Sequence, residues 1–130
     1  MRGKGCSMAS ARRKHRILLV NGYTTLQHLR ALMLRMEGYS VDTAADLESA
    51  HAVITTSRAY DLVIVDVGHF AEQGLSFCEE VKQRHPELKV LMQVDGHLFL
   101  NRESCPDQVV SKQEGPKHFV DEVERLLAAS

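Results

Sequence analysis

From residue 17 onward, short apolar runs alternate with segments of helical period, and this alternation restricts the fold more than any other feature. Ile17–Val20 is an unbroken aliphatic run, as expected of a strand covered on both faces. Thr24 or Thr25 then caps a helix whose apolar positions Leu26, Leu29, Leu32, Met33 and Met36 form one face, with Gly38 at its stop. Tyr39–Ala44 alternates like a strand near a sheet edge, and Asp46 caps a second helix burying Leu47, Ala50, Val53 and Ile54. The most apolar segment, Tyr60–Val67, reads as the central strand. A helix follows from about Gly74 to His85, with Leu75, Cys78 and Val81 inward and Pro86 limiting it. Residues 88–94 form a fourth strand, 95–107 leave room for at most two helical turns before Pro106, and 108–111 form a short fifth strand. Pro116 opens a last helix that buries Phe119, Val120, Val123, Leu126 and Leu127.

Five strands alternating with helices imply a parallel sheet with helices on both faces. Parallel neighbours need crossovers, so the Asn21-Gly22 pair begins a strand-to-helix loop and is not a hairpin turn. In such sheets the working site lies at the carboxyl ends of the strands. That directs attention to Asn21, Gly22, Asp66 to His69, Val94, Asp95 and Lys112.

Charge is unevenly spread. Of the 16 Lys and Arg residues, six lie in residues 1–16, whereas all 17 Asp and Glu residues follow. Residues 1–15 read as a basic, disordered arm and 16–130 as the folded domain. An arm of this kind either aids solubility or touches nucleic acid or an acidic partner. It lacks the apolar stretch of a secretory signal, and no run approaches the ~20 apolar residues of a membrane span, so a cytoplasmic protein is expected. Cys6, Cys78 and Cys105 are odd in number and scattered, which suits reduced thiols.

The segments "ILLV", "GYSVDTAAD" followed by Ala50, "DLVIVDV", "GLSFCEEVK" eight residues beyond the Asp of that strand, and a late Lys before the last helix fall in an order and spacing that resembles the receiver domain of bacterial two-component response regulators. The resemblance covers residues 16–128 and implies a flavodoxin-like three-layer α/β/α sandwich with strand order 2-1-3-4-5. It places the phosphoacceptor at Asp66, the phosphate-pairing lysine at Lys112 and the glycine ending the loop after the phosphoacceptor at Gly74. The chain departs from the family elsewhere. The acidic pair that recruits Mg²⁺ corresponds to Asn21 and Gly22, the hydroxyl residue ending strand 4 to Val94, and the small residue beside it to Asp95. The aromatic switch position on strand 5 corresponds to Val109, and the proline after the lysine to Gln113. The connection between strands 4 and 5 is shorter than the family's, which implies a short or irregular fourth helix.

Phosphoryl transfer to a carboxylate sets an anion against an anion, so it depends on positioning and charge neutralisation. Here Asp66, a carbonyl near Gly68 and the neutral Asn21 amide are the only Mg²⁺ donors expected, too few for the usual coordination, and no metal cofactor is expected. Asp95 adds negative charge beside Asp66, and Lys112 is free to form a standing ion pair with it. The expectation is a degenerate (pseudo-receiver) module. It would stand alone, work through contacts with a sensor kinase or a downstream signalling protein, or as a homodimer, and have no enzymatic activity. Two alternatives remain: a competent phosphorelay receiver phosphorylated on Asp66 with Mg²⁺, and a nucleic-acid-associated protein acting through the arm. His69 and His97 share the rim with Asp66 and Asp95 and form a further metal-site candidate, although exposed loop histidines are commoner. A dehalogenase-type phosphatase would need an acid where Gly68 stands.

Overall fold

The computed structural model describes residues 15–57, 59–68, 71–95 and 105–128, apart from 21–24. Strands β1 (Arg16–Val20), β2 (Ser40–Ala44), β3 (Leu62–Gly68), β4 (Lys89–Val94) and β5 (Gln108–Ser111) form one sheet of order β2-β1-β3-β4-β5. All four pairings are parallel. Helices α1 (Thr25–Met36), α2 (Leu47–Ser57), α3 (Ala71–Arg84) and α4 (Pro116–Ala128) cover the two faces. This is the flavodoxin-like order that the resemblance implied. The fourth-helix region, the arm before His15, Asn21, Gly22, His69 and His97 lie outside the described residues.

Alternation along the strands sorts the core. Leu18, Val20, Val63, Val65, Val90 and Met92 pack with Ala50 and Ile54 of α2 and with Phe77, Cys78 and Val81 of α3. Ile17, Leu19, Leu62, Ile64, Leu91 and Val110 pack on the other face with Ala31 and Leu34 of α1 and with Phe119, Val123, Leu126 and Leu127 of α4. Central strands buried on both faces are what their unbroken aliphatic runs require. Asp61 ties the strand starts together: its carboxylate accepts from Arg16 N at 2.8 Å, its N–H donates to the Arg16 carbonyl and its carbonyl accepts from Lys89 N. Gly38 ends α1 with φ of 101°, a backbone conformation that favours glycine.

Two expectations need correction. The spacing of Leu29, Leu32 and Met36 predicted an inward face, yet these residues are 52%, 52% and 77% exposed. The buried face of α1 is instead Gln27, Arg30, Ala31 and Leu34. Both sets have helical spacing, so periodicity admits either face and tertiary partners decide. Gln27 Nε2 donates to the Val20 carbonyl at the end of β1 at 3.2 Å, which holds the polar face inward. The second correction concerns α3, which begins at Ala71, not Gly74. Gly74 therefore lies inside the helix, where its missing side chain allows α3 to lie close against β3 and β4. A Cβ there would run into Val67 Cγ1 and come within 2.8 Å of Met92 Cε.

Gly74→Ala should lower stability by about 1–3 kcal/mol through overpacking, despite alanine's better helix propensity. Chemical denaturation measures it, and an unchanged midpoint would contradict the close approach. At the β2 edge, Tyr60 Oη donates to Asp42 Oδ2 at 2.6 Å. Burial, then the Asp42 carboxylate, pushes the phenol from its ordinary value near 10 up to about 12. The protonated phenol is thus favoured in the fold. Its contribution is complete below pH about 10 and is lost as pH rises toward about 12. Melts of Tyr60→Phe across that window should fall less steeply than those of the unaltered chain; parallel curves would refute the linkage.

Candidate functional site

The carboxyl ends of β3, β4 and β5 bring the sequence-predicted acid and base residues to one rim. Asp66 pairs in register with Gln93, after which the ladder skips a residue and Gly68 pairs with Val94. Val94 in turn pairs with Ser111, which places Asp95 and Lys112 one residue beyond two adjacent strand ends. A single 3₁₀ turn, Lys112–Glu114, holds the lysine in place. Ser111 Oγ accepts from Gln113 N at 3.2 Å, and Glu114 Oε1 accepts from Ser111 N at 3.0 Å. This reciprocal capping box fixes the start of the turn.

Lys112 Nζ lies 2.6 Å from Asp66 Oδ1 and 3.3 Å from Asp95 Oδ1. The Asp66 side chain is only 9% exposed and that of Lys112 19%, so solvent screens the short contact weakly. One ammonium thus bridges two carboxylates. Val94 is buried in the α2/α3 core and offers no hydroxyl to the rim, while Val109 packs partly against the same core. Gln113 occupies the turn, exposed. Gly74 lies in α3 and ends no loop.

A cation is present that the sequence reading did not find. Arg30 is 2% exposed, and its guanidinium lies over the Phe119 ring, 4.4 Å from the centroid. Burial lowers its pKa and the negative charge of Asp66 raises it again. Gln27, on the same helix face, and Gln93, the register partner of Asp66, are also buried. The clue was the polar set Gln27 and Arg30 at helical spacing with Ala31 and Leu34, obscured by the more apolar alternative beside it.

Magnesium requires near-octahedral oxygen donors. Among the described residues, the rim offers Asp66 and Asp95, both already engaged by Lys112. No group of three His, Cys, Asp or Glu residues among them is placed to hold a metal ion. The positions that match the family's acidic pair, Asn21 and Gly22, lie outside the described residues.

The family model for the response regulator receiver domain matches residues 17–98. The chain belongs to this family. Across 89% of its length it is 26% identical to the probable transcriptional regulator ycf27 of Cyanidium caldarium, covering 47% of that protein. Over 64% of its length it is 35% identical to the nitrogen assimilation regulatory protein NtrX of Azorhizobium caulinodans, covering 18% of it. The receiver-like chain therefore spans half or less of these curated relatives. Among solved structures, a putative response regulator from Chloroflexus aurantiacus superposes with a TM-score of 0.78 at 27% identity, covering 89% of this chain and 99% of the other. The protein is thus a response-regulator signalling module whose relatives are regulators. Among the described residues, no helix is long and apolar enough to cross a membrane.

Removing the ammonium from this receiver leaves two carboxylates facing each other at a half-buried rim. Lys112→Met should cost about 1–3 kcal/mol at neutral pH, and much of the loss should disappear in an Asp95→Asn background. Urea unfolding of the four combinations reads the coupling, and strict additivity would exclude a shared ion pair.

Proposed function

We propose that this receiver works through protein contacts in a signalling pathway, with Asp66 held in a standing ion pair and without ordinary Mg²⁺-dependent phosphorylation. The observation that carries this reading is the 2.6 Å contact between Lys112 Nζ and Asp66 Oδ1, shared with Asp95 Oδ1 at 3.3 Å. An incoming phosphoryl group brings negative charge. To approach Asp66 it must displace the lysine while Asp95 repels it. The two groups that normally offset that cost, a metal held by acids and a hydroxyl at the end of β4, have Asn21, Gly22 and Val94 in their positions. Losing a single such donor costs roughly a hundredfold or more in rate.

The partner in this reading is a protein, either a sensor kinase or a downstream signalling component. The exposed stripe of Leu29, Leu32 and Met36 on α1 supports a protein contact, because apolar side chains grouped on one helix face favour burial against another surface. The transcriptional-regulator role named for the Cyanidium relative belongs to that protein. For this chain, nucleic-acid binding through the basic residues 1–16 is a secondary reading that rests on charge alone.

Incubation with acetyl phosphate and Mg²⁺ followed by intact-mass measurement tests the proposal. The expected result is no stable adduct. A gain of about 80 Da that Asp66→Asn abolishes would establish a competent phosphorelay receiver instead.

A further inference from the structure

A groove of about 400 Å³ lies between α1 and α4. Met33 and Val120 supply apolar surface to its lining, and Glu37, Asp121 and Glu124 supply carboxylates. Lys117 Nζ lies 3.1 Å from Asp121 Oδ2 and offsets that charge. Glu37 and Glu124 are exposed and form no ion pair among the described residues. The groove is therefore net acidic, with hydrocarbon between its charges. Such a surface suits a basic segment, whose cationic heads meet carboxylates while their methylene stems lie on apolar side chains.

The chain enters the fold beside this groove. The His15 carbonyl accepts from Ser40 N at 3.0 Å, and the His15 ring centroid lies 6.3 Å from that of Tyr39. Tyr39 follows Glu37 by two residues and, like Val120, packs against the core on the α1/α4 face. Arg12, Arg13 and Lys14, which lie outside the described residues, immediately precede His15. From Lys117 to Glu124 the α4 axis rises about 10 Å, and four extended residues cover about 13 Å. Residues 11–14 are thus long enough to lie along the groove. Their tether holds them there at an effective concentration on the order of millimolar, so individually weak exposed ion pairs suffice. Nucleic acid would bring phosphates, and the groove of a second copy would bring more carboxylates, so both are repelled.

We propose that the basic segment Arg12–Lys14 docks in the groove between α1 and α4 of its own chain, with Glu37 and Glu124 as its counter-charges. Docked, the segment shields both carboxylates and is withheld from the polyanions that its charge would otherwise attract. No rim residue takes part, so the outcome for Asp66 and the outcome for this docking are independent.

A nitroxide on Ser10→Cys, in the full chain carrying Cys6→Ser, tests the docking through paramagnetic broadening of backbone amide signals; Cys78 and Cys105 are buried. The signals of Val120, Asp121 and Glu124 should broaden. Reversing the segment with Arg12→Glu, Arg13→Glu and Lys14→Glu should reduce that broadening about threefold or more. Raising the salt to about 1 M, where the screening length is about 3 Å, should do the same. Adding Glu37→Lys and Glu124→Lys to the reversed segment should restore the broadening. Broadening that survives the reversal, or that the charge swap fails to restore, would overturn the proposal. Isotope-labelled chains without the nitroxide, mixed with unlabelled chains that carry it, should show no broadening. Broadening in that mixture would make the occupant the arm of a second copy and would overturn docking within one chain.

Discussion

The Lys112 ammonium sits between Asp66 and Asp95, and the chemistry open to this rim depends on that placement. Three strand ends deliver these residues to one place, and the Ser111–Glu114 capping box stops the lysine from moving far. Two carboxylates without a cation between them would repel. The lysine between them offsets that repulsion. In the reading proposed above, the same contacts compete with a metal or a phosphoryl group for the rim carboxylates.

The two faces of the sheet differ in character. On the α2/α3 side the buried cluster among the described residues is apolar, and Gly74 lets α3 approach it closely. On the α1/α4 side, Gln27, Arg30 and Gln93 interrupt the hydrocarbon beneath the rim. Buried polar groups of this kind weaken a core unless their neighbours compensate for them. Here the Phe119 ring lies against the Arg30 guanidinium, and Gln27 donates to the Val20 carbonyl.

Much of the fold was legible because parallel strands covered on both faces demand continuous aliphatic runs, and Ile17–Val20 and Leu62–Val65 have them. The rim residues Asp66, Asp95 and Lys112 were legible for a related reason: strand ends in such a sheet converge, so the last residues of three runs become neighbours. Helix α1 was misread because its sequence contains two overlapping stripes of the same period. The more apolar stripe won on hydropathy, while the native one is selected by a backbone carbonyl on β1 and by groups on α4, partners distant in sequence. Arg30 was missed for that reason. The start of α3 was misplaced because Gly74 reads as a loop residue until the tight contact with Val67 is known.

The central claim is that the rim is closed by its own lysine, and a magnesium titration followed by backbone amide NMR tests it most directly. Adding the ion to millimolar concentration should leave the amide signals of Asp66, Gly68, Asp95 and Lys112 unmoved, apart from the uniform drift caused by ionic strength. Saturable shifts confined to those residues would show that the metal displaces the lysine, and would contradict the account.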